Sequence, residues 1–184
     1  MASCNHTASG KRQDRRKRNL SWDGAGAGRY RSRLKGAATR NDVLVCTELP
    51  DDVERFLGSL VAFAEARDDV RAVALIGSHA RGVARPDSDV DVVMLTTEPE
   101  AYIDGCDWLE RFPGATLLAT RRWGPLTERR LVLGNEREVD FGVARTSWAS
   151  IQPLDPGTAR VARDGLVALH DPDRLLADVV AAAT

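Results

Sequence analysis

Ile76-Gly77-Ser78-His79-Ala80-Arg81-Gly82, followed after three intervening residues by Pro86-Asp87-Ser88-Asp89-Val90-Asp91, decides how this 184-residue chain is read. The apolar run Val70 to Ile76 ends at a glycine and a serine. A second apolar run, Val90 to Leu95, opens on two alternating carboxylates. Residues two apart on a strand share a face, so Asp89 and Asp91 project together. Neighbouring carboxylates repel each other, and a divalent cation between them removes that cost. Asp140, in Val139-Asp140-Phe141, has strand neighbours of the same kind and can supply a third carboxylate.

Magnesium favours a few carboxylates plus phosphate oxygens of a substrate. Two such ions, ~3.5–4 Å apart, can activate an attacking oxygen and stabilise a leaving one. Gly77 lets the backbone approach a phosphate closely, and Ser78 adds a hydroxyl donor. Arg81, one turn later, can clamp phosphates or offset transition-state charge.

On these residues the chain resembles the nucleotidyltransferases of the DNA polymerase β type. Their pattern is Gly-Ser or Gly-Gly after an apolar residue, about nine to thirteen residues, Asp-x-Asp between apolar residues, then a later lone Asp on a strand. Here Gly77, Ser78, Asp89, Asp91 and Asp140 fill it, with ten residues between Ser78 and Asp89. The fuller wording Gly-Ser-x-Ala-Arg-Gly and Pro-x-Ser-Asp-x-Asp is similar to the bacterial branch of antibiotic (aminoglycoside-type) adenylyltransferases and minimal antitoxin-type domains. The resemblance spans roughly residues 50–145. It implies two Mg2+ ions on Asp89, Asp91 and Asp140, and a triphosphate on Gly77 and Ser78. It also implies transfer of a nucleoside monophosphate, AMP from ATP first among them, to a hydroxyl of a small molecule such as an aminoglycoside. The alternative within the same branch is an antitoxin-like interaction protein that binds or AMPylates a toxin partner.

The surrounding pattern gives an α+β fold with a mixed β-sheet and flanking helices, and the resemblance implies that this is the nucleotidyltransferase fold. Pro50-Asp51-Asp52 opens a helix whose apolar residues, Val53, Phe56, Leu57, Leu60, Val61 and Ala64, recur at three and four. A helix is expected over Glu100 to Phe112, weakened at Gly105. Strands are expected at Thr116–Arg122, Glu128–Leu133 and Glu138–Val143, the last two a hairpin about Gly134-Asn135. A strand at Leu166–Leu169 and a helix from Asp171-Pro172-Asp173 to Ala182 close the chain.

Two physically different segments share the sequence. Residues 1–40 carry eleven Lys/Arg against Asp14 and Asp23, while the remainder holds 15 basic and 25 acidic residues. Residues 1–46 lack apolar periodicity and read as a disordered basic tail, with 47–184 as the nucleotidyltransferase domain. Clustered Lys/Arg would offer nucleic acid a contact through the tail, against which the acidic body argues. The same acidic body suits a cationic acceptor.

No apolar run approaches the ~18 residues of a membrane span, and the N-terminus lacks the apolar centre of a secretory signal. Cys4, Cys46 and Cys106 are scattered and odd in number, which predicts neither a zinc site nor a disulfide framework and makes a cytoplasmic location the expectation. Only 44 residues follow Asp140, so a homodimer mate or a toxin partner is expected to complete the acceptor wall.

Other residues have plainer readings. His79 is expected to be solvated in its loop, with a phosphate contact as the alternative, and Arg121-Arg122 and Arg129-Arg130 to be solvated strand ends rather than a nucleic-acid patch. Glu138 shares the face of Asp140 and reads as surface charge, with general base as the alternative. Trp108, Trp123 and Trp148 read as core or rim packing, with stacking on a base as the alternative.

Overall fold

The computed structural model describes residues 49–184. The expected basic tail, 1–46, lies outside the described residues. The fold is α+β. One six-stranded sheet runs in the order β3-β4-β5-β2-β1-β6, with strands β1 Val70–Ile76, β2 Val90–Thr96, β3 Thr116–Trp123, β4 Leu126–Val132, β5 Glu138–Arg145 and β6 Leu166–His170. Only β2 and β5 pair in parallel and the other four pairs are antiparallel, so the sheet is mixed as expected. No helix among the described residues is long and apolar enough to cross a membrane.

Helix α1, Asp51–Glu65, starts behind Pro50 with Asp51, Asp52 and Glu54 in its first turn, where acids favour the positive helix end. Its apolar stripe, including Val53, Leu57 and Leu60, packs on one sheet face with Val90, Val92, Met94, Val139 and Phe141. Six aromatic rings knit this layer, Trp108 and Phe141 lying 4.8 Å apart between centroids. The opposite face carries a smaller core. Val93, Leu95, Ala144 and Trp148 meet Leu176 and Val179 of the last helix, Leu175–Ala183.

The span Glu100 to Phe112 is not one helix. Helix α3, Pro99–Ile103, stops after five residues, and a 3-10 turn at Asp107–Arg111 follows. Arg129 explains the break. It is 1% exposed and donates from its guanidinium to the carbonyls of Tyr102 (2.9 Å), Ile103 and Gly105 (3.4 Å), the groups that a continuing helix would have satisfied. Arg129 is therefore no solvated strand end. Cys106 is disulfide-bonded, contrary to the expectation of no disulfide.

Helix α4, Pro156–Gly165, is also beyond the sequence expectation. Asp155 caps it, accepting from the Thr158 amide at 2.9 Å, and Pro156 occupies the first turn.

Asp69 ties the turn after α1 to β2 and α3. It accepts from Arg67 Nε (3.0 Å), Thr96 Oγ1 (3.2 Å) and Tyr102 Oη (2.5 Å). Burial pushes its carboxyl upward, but the Tyr102, Arg67 and Thr96 donors outweigh it and hold the group below the ordinary aspartate value. A carboxyl depressed in the folded state stabilises above its unfolded value and loses that contribution as pH falls through the folded one. Asp69→Asn should therefore cost ~1–3 kcal/mol at pH 7, and the deficit should shrink below about pH 4. Melts of both proteins at pH 7 and pH 3 check this; a pH-independent gap contradicts it.

Candidate active site

Strand alternation decides which residues face the site. In β2 the residues Val90, Val92 and Met94 enter the α1 core, so Asp91 shares the opposite face with Val93 and Leu95. In β5, Val139, Phe141 and Val143 enter the α1 core, so Asp140 faces as Asp91 does. The parallel register pairs Asp91 with Asp140, and Asp89 stands just ahead of β2. The three carboxylates converge: one oxygen of each lies within 4.8 Å of the other two, and all three residues are partly exposed.

The antiparallel β1/β2 register aligns Leu75 with Val92, which carries the end of β1 to the same spot. There the chain turns sharply through Gly77–Ala80, a single helical turn labelled α2. Gly77 has φ +68°, and a Cβ on it would lie 2.9 Å from the Asp91 Cγ. Glycine is required twice over, by the left-handed backbone and by contact with the carboxylate. Arg81 follows directly and its charge acts on Asp91.

Asp91 is the electrostatic centre. Burial, then the charges of Asp89 and Asp140, push its carboxyl up to about 6, with Arg81 acting the other way. Two unit charges ~4 Å apart repel by roughly 1 kcal/mol in water and ~4 at an effective dielectric of 20, so the cluster calls for a cation. The donors are all carboxylate oxygens, the set that a hard divalent ion such as Mg2+ takes. Among the described residues no other acid, histidine or cysteine group converges in this way.

Arg130 answers part of that demand, contrary to its reading as a solvated strand end. It pairs across the β4/β5 register with Asp140 and forks onto both of its oxygens, Nε at 2.6 Å and an Nη at 2.5 Å. Asp89 and Glu138 lie 3.9 and 3.7 Å away. Hydrogen bonding to Asp140 raises the guanidinium pKa further. Alternation within β4 carries the signal: Thr127, Arg129 and Leu131 are the buried positions, which leaves Glu128 and Arg130 beside Asp140.

The loop bearing Asp89 is clamped from beneath. Arg137, absent from the sequence reading, donates to Asp52 Oδ2 (2.9 Å) and to the carbonyls of Pro86 and Ser88 (both 2.8 Å). His79 is 6% exposed, not solvated, with its Nε2 3.5 Å from the Ser88 carbonyl. Burial of the ring lowers its pKa.

Glu138 stays half exposed, as surface charge would. Trp108 and Trp148 are packed inside, whereas Trp123 is 59% exposed and donates to Glu128 Oε2 at 3.0 Å. Beside Asp89 an open cleft of about 550 Å³ is walled by Arg85, Asp87, Glu136, Arg137 and Glu138.

Residues 59–121 match the family model of the nucleotidyltransferase domain, a stretch that contains Gly77, Ser78, Arg81, Asp89 and Asp91 and ends before Asp140. The match supports the expectation of a transferase enzyme. No curated protein matches the chain. Among solved structures the chain is similar to an apo CCA-adding enzyme, with 16% identity, TM-score 0.43, and 76% of this chain and 34% of that one covered. It is also similar to Cid1 poly(U) polymerase, with 15% identity, TM-score 0.38, and 76% and 45% covered. A third is terminal uridylyl transferase 4 from Trypanosoma brucei with bound GTP, with 16% identity, TM-score 0.35, and 74% and 48% covered. The chain thus spans between a third and a half of the length of these structures.

Proposed function

We propose that this chain is a metal-dependent nucleotidyltransferase that moves a nucleoside monophosphate, AMP from ATP first among them, to an acceptor hydroxyl with release of pyrophosphate. One observation carries the reading: carboxylate oxygens of Asp89, Asp91 and Asp140 converge within 4.8 Å beside the Gly77-Ser78 turn.

In this reading Asp89, Asp91 and Asp140 hold the divalent ions. When bound, such ions supply Lewis-acid stabilisation of the transferring phosphoryl group and its leaving oxygen. Gly77 brings backbone and phosphate together, Ser78 donates its hydroxyl to a phosphate oxygen, and Arg81 places positive charge against the triphosphate. Arg137 and His79 keep the Asp89 loop at its fixed height. Catalysis by the chain then consists of positioning and charge compensation.

The acceptor enters along the cleft beside Asp89. Its wall holds four acidic residues, Asp87, Asp89, Glu136 and Glu138, against Arg85 and Arg137. That excess favours a cationic polyol such as an aminoglycoside. The antitoxin-like reading draws on a different feature: edge strand β3 exposes Leu118 (53%) and Trp123 (59%), a surface suited to a protein partner.

ATP should bind at least about tenfold more tightly with Mg2+ than without it, because the triphosphate otherwise meets three carboxylates. Calorimetry in Mg2+ and in EDTA measures this directly, and equal affinities would sink the proposal.

A further inference from the structure

We infer that Arg130 is a resident counter-cation of the triad, which a divalent metal must displace from Asp140 in order to bind. The inference rests on the metal site proposed above and adds a positioning residue to it.

The geometry leaves little room for both cations. The Arg130 fork takes both Asp140 oxygens, at 2.6 and 2.5 Å, and its Nη stands 3.9 Å from Asp89 Oδ2. A guanidinium bound side-on takes one lone pair on each carboxylate oxygen and sets its positive charge against a metal approaching the same group. Arg130 also supplies positive charge where Asp89, Asp91 and Asp140 crowd together, so it holds the carboxylates in place without metal.

The Arg130 side chain is 29% exposed, which leaves it a path outward, and Glu138 waits 3.7 Å from its second Nη. Metal loading is therefore an exchange: one cation leaves Asp140 as another arrives. The released guanidinium lies on the same sheet face as the carboxylates, so an incoming triphosphate is its natural new partner. Metal and nucleotide then bind cooperatively, since the nucleotide compensates the arginine that the metal expels.

The test is calorimetric titration of the full chain with Mn2+ alone, then with Mn2+ in the presence of ATP. For Arg130→Gln, Mn2+ alone should bind about tenfold or more tightly than to the unsubstituted protein, the equivalent of one charge-assisted hydrogen bond no longer broken. The gain from adding ATP should shrink correspondingly, while the metal-free protein melts at a lower temperature. Arg130→Lys keeps the charge without the fork and should lie between the two, which covers the case in which the glutamine variant fails to fold.

Unchanged or weaker Mn2+ binding in both folded variants overturns the exchange. Asp89→Asn and Asp91→Asn separate this failure from that of the underlying site: if they bind Mn2+ as the unsubstituted protein does, the metal site itself is wrong, whatever Arg130 does.

Discussion

Asp89→Asn and Asp91→Asn each lower nucleotidyl transfer by more than about 100-fold, because loss of an outer-shell partner of a metal ligand already costs ~10–100-fold and these residues are the proposed ligands. The metal-free fold survives both changes. Asp91 sits among carboxylates and under burial that disfavour its charged form, so a neutral isostere relieves crowding and stability holds or rises.

Asp140→Asn should behave differently. Its carboxylate is the bidentate partner of Arg130, and its removal leaves a guanidinium without its main acceptor. Activity should fall with the others, but the metal-free protein should also lose ~1–3 kcal/mol, the cost of stranding a buried or half-buried polar partner. Pyrophosphate release with an accepting substrate, paired with thermal melts of all three variants, reads both quantities. Normal turnover in the Asp89 and Asp91 variants would falsify the enzyme reading at its centre.

The second large effect is expected at Gly77. Gly77→Ala forces a Cβ into the left-handed region, at about 1–2 kcal/mol for an L-residue, and also against the Asp91 carboxylate. Asp91 must move or the turn must open, and either outcome removes the surface on which a phosphate would rest. ATP affinity in Mg2+ should drop by about tenfold or more. Gly124 is the control. Its φ of +60° is nearly the same, yet a Cβ there meets nothing within 4 Å, so Gly124→Ala should show the backbone strain alone. Denaturation midpoints and nucleotide titrations of the pair separate strain from contact. Equal destabilisation with nucleotide binding intact in both would show that Gly77 matters to the turn but not to the site.

What the sequence disclosed is what short-range periodicity encodes. The α1 stripe, the valine-dense β2 and the Gly134-Asn135 hairpin each depend on spacing within a few residues, and all are present. The convergence of Asp89, Asp91 and Asp140 was legible because alternation fixes the face of each strand residue, although nothing local dictates the β2/β5 register that joins them.

The rest depended on distant partners. Ile103 ends its helix because Arg129, 26 residues later, takes its carbonyl. His79 is buried because the 86–88 loop folds over it under the pull of Arg137. Helix α4 escaped notice because few of its residues are apolar, only Thr158 and Ala159 being buried, though the Asp155-Pro156 start signal was there to read. Arg130 was legible in principle, from the alternation of Thr127, Arg129 and Leu131.

The parallel pairing of β2 with β5 has a consequence for how the molecule assembles. Antiparallel neighbours can zip from a turn, but a parallel pair must wait for a crossover to close. Here that crossover contains α3, the 3-10 turn and the whole β3/β4 hairpin. Asp89 and Asp91 meet Gly77 through the nearby β1/β2 pairing, whereas Asp140 reaches them only after the long loop has closed, a step slowed by chain entropy. Connectivity therefore joins the Gly77 turn and two of the carboxylates through a short loop, and the third only through a long one. The complete carboxylate cluster exists only in a finished tertiary structure, so any cation that needs all three oxygens senses the folded state and adds its binding free energy to that state alone.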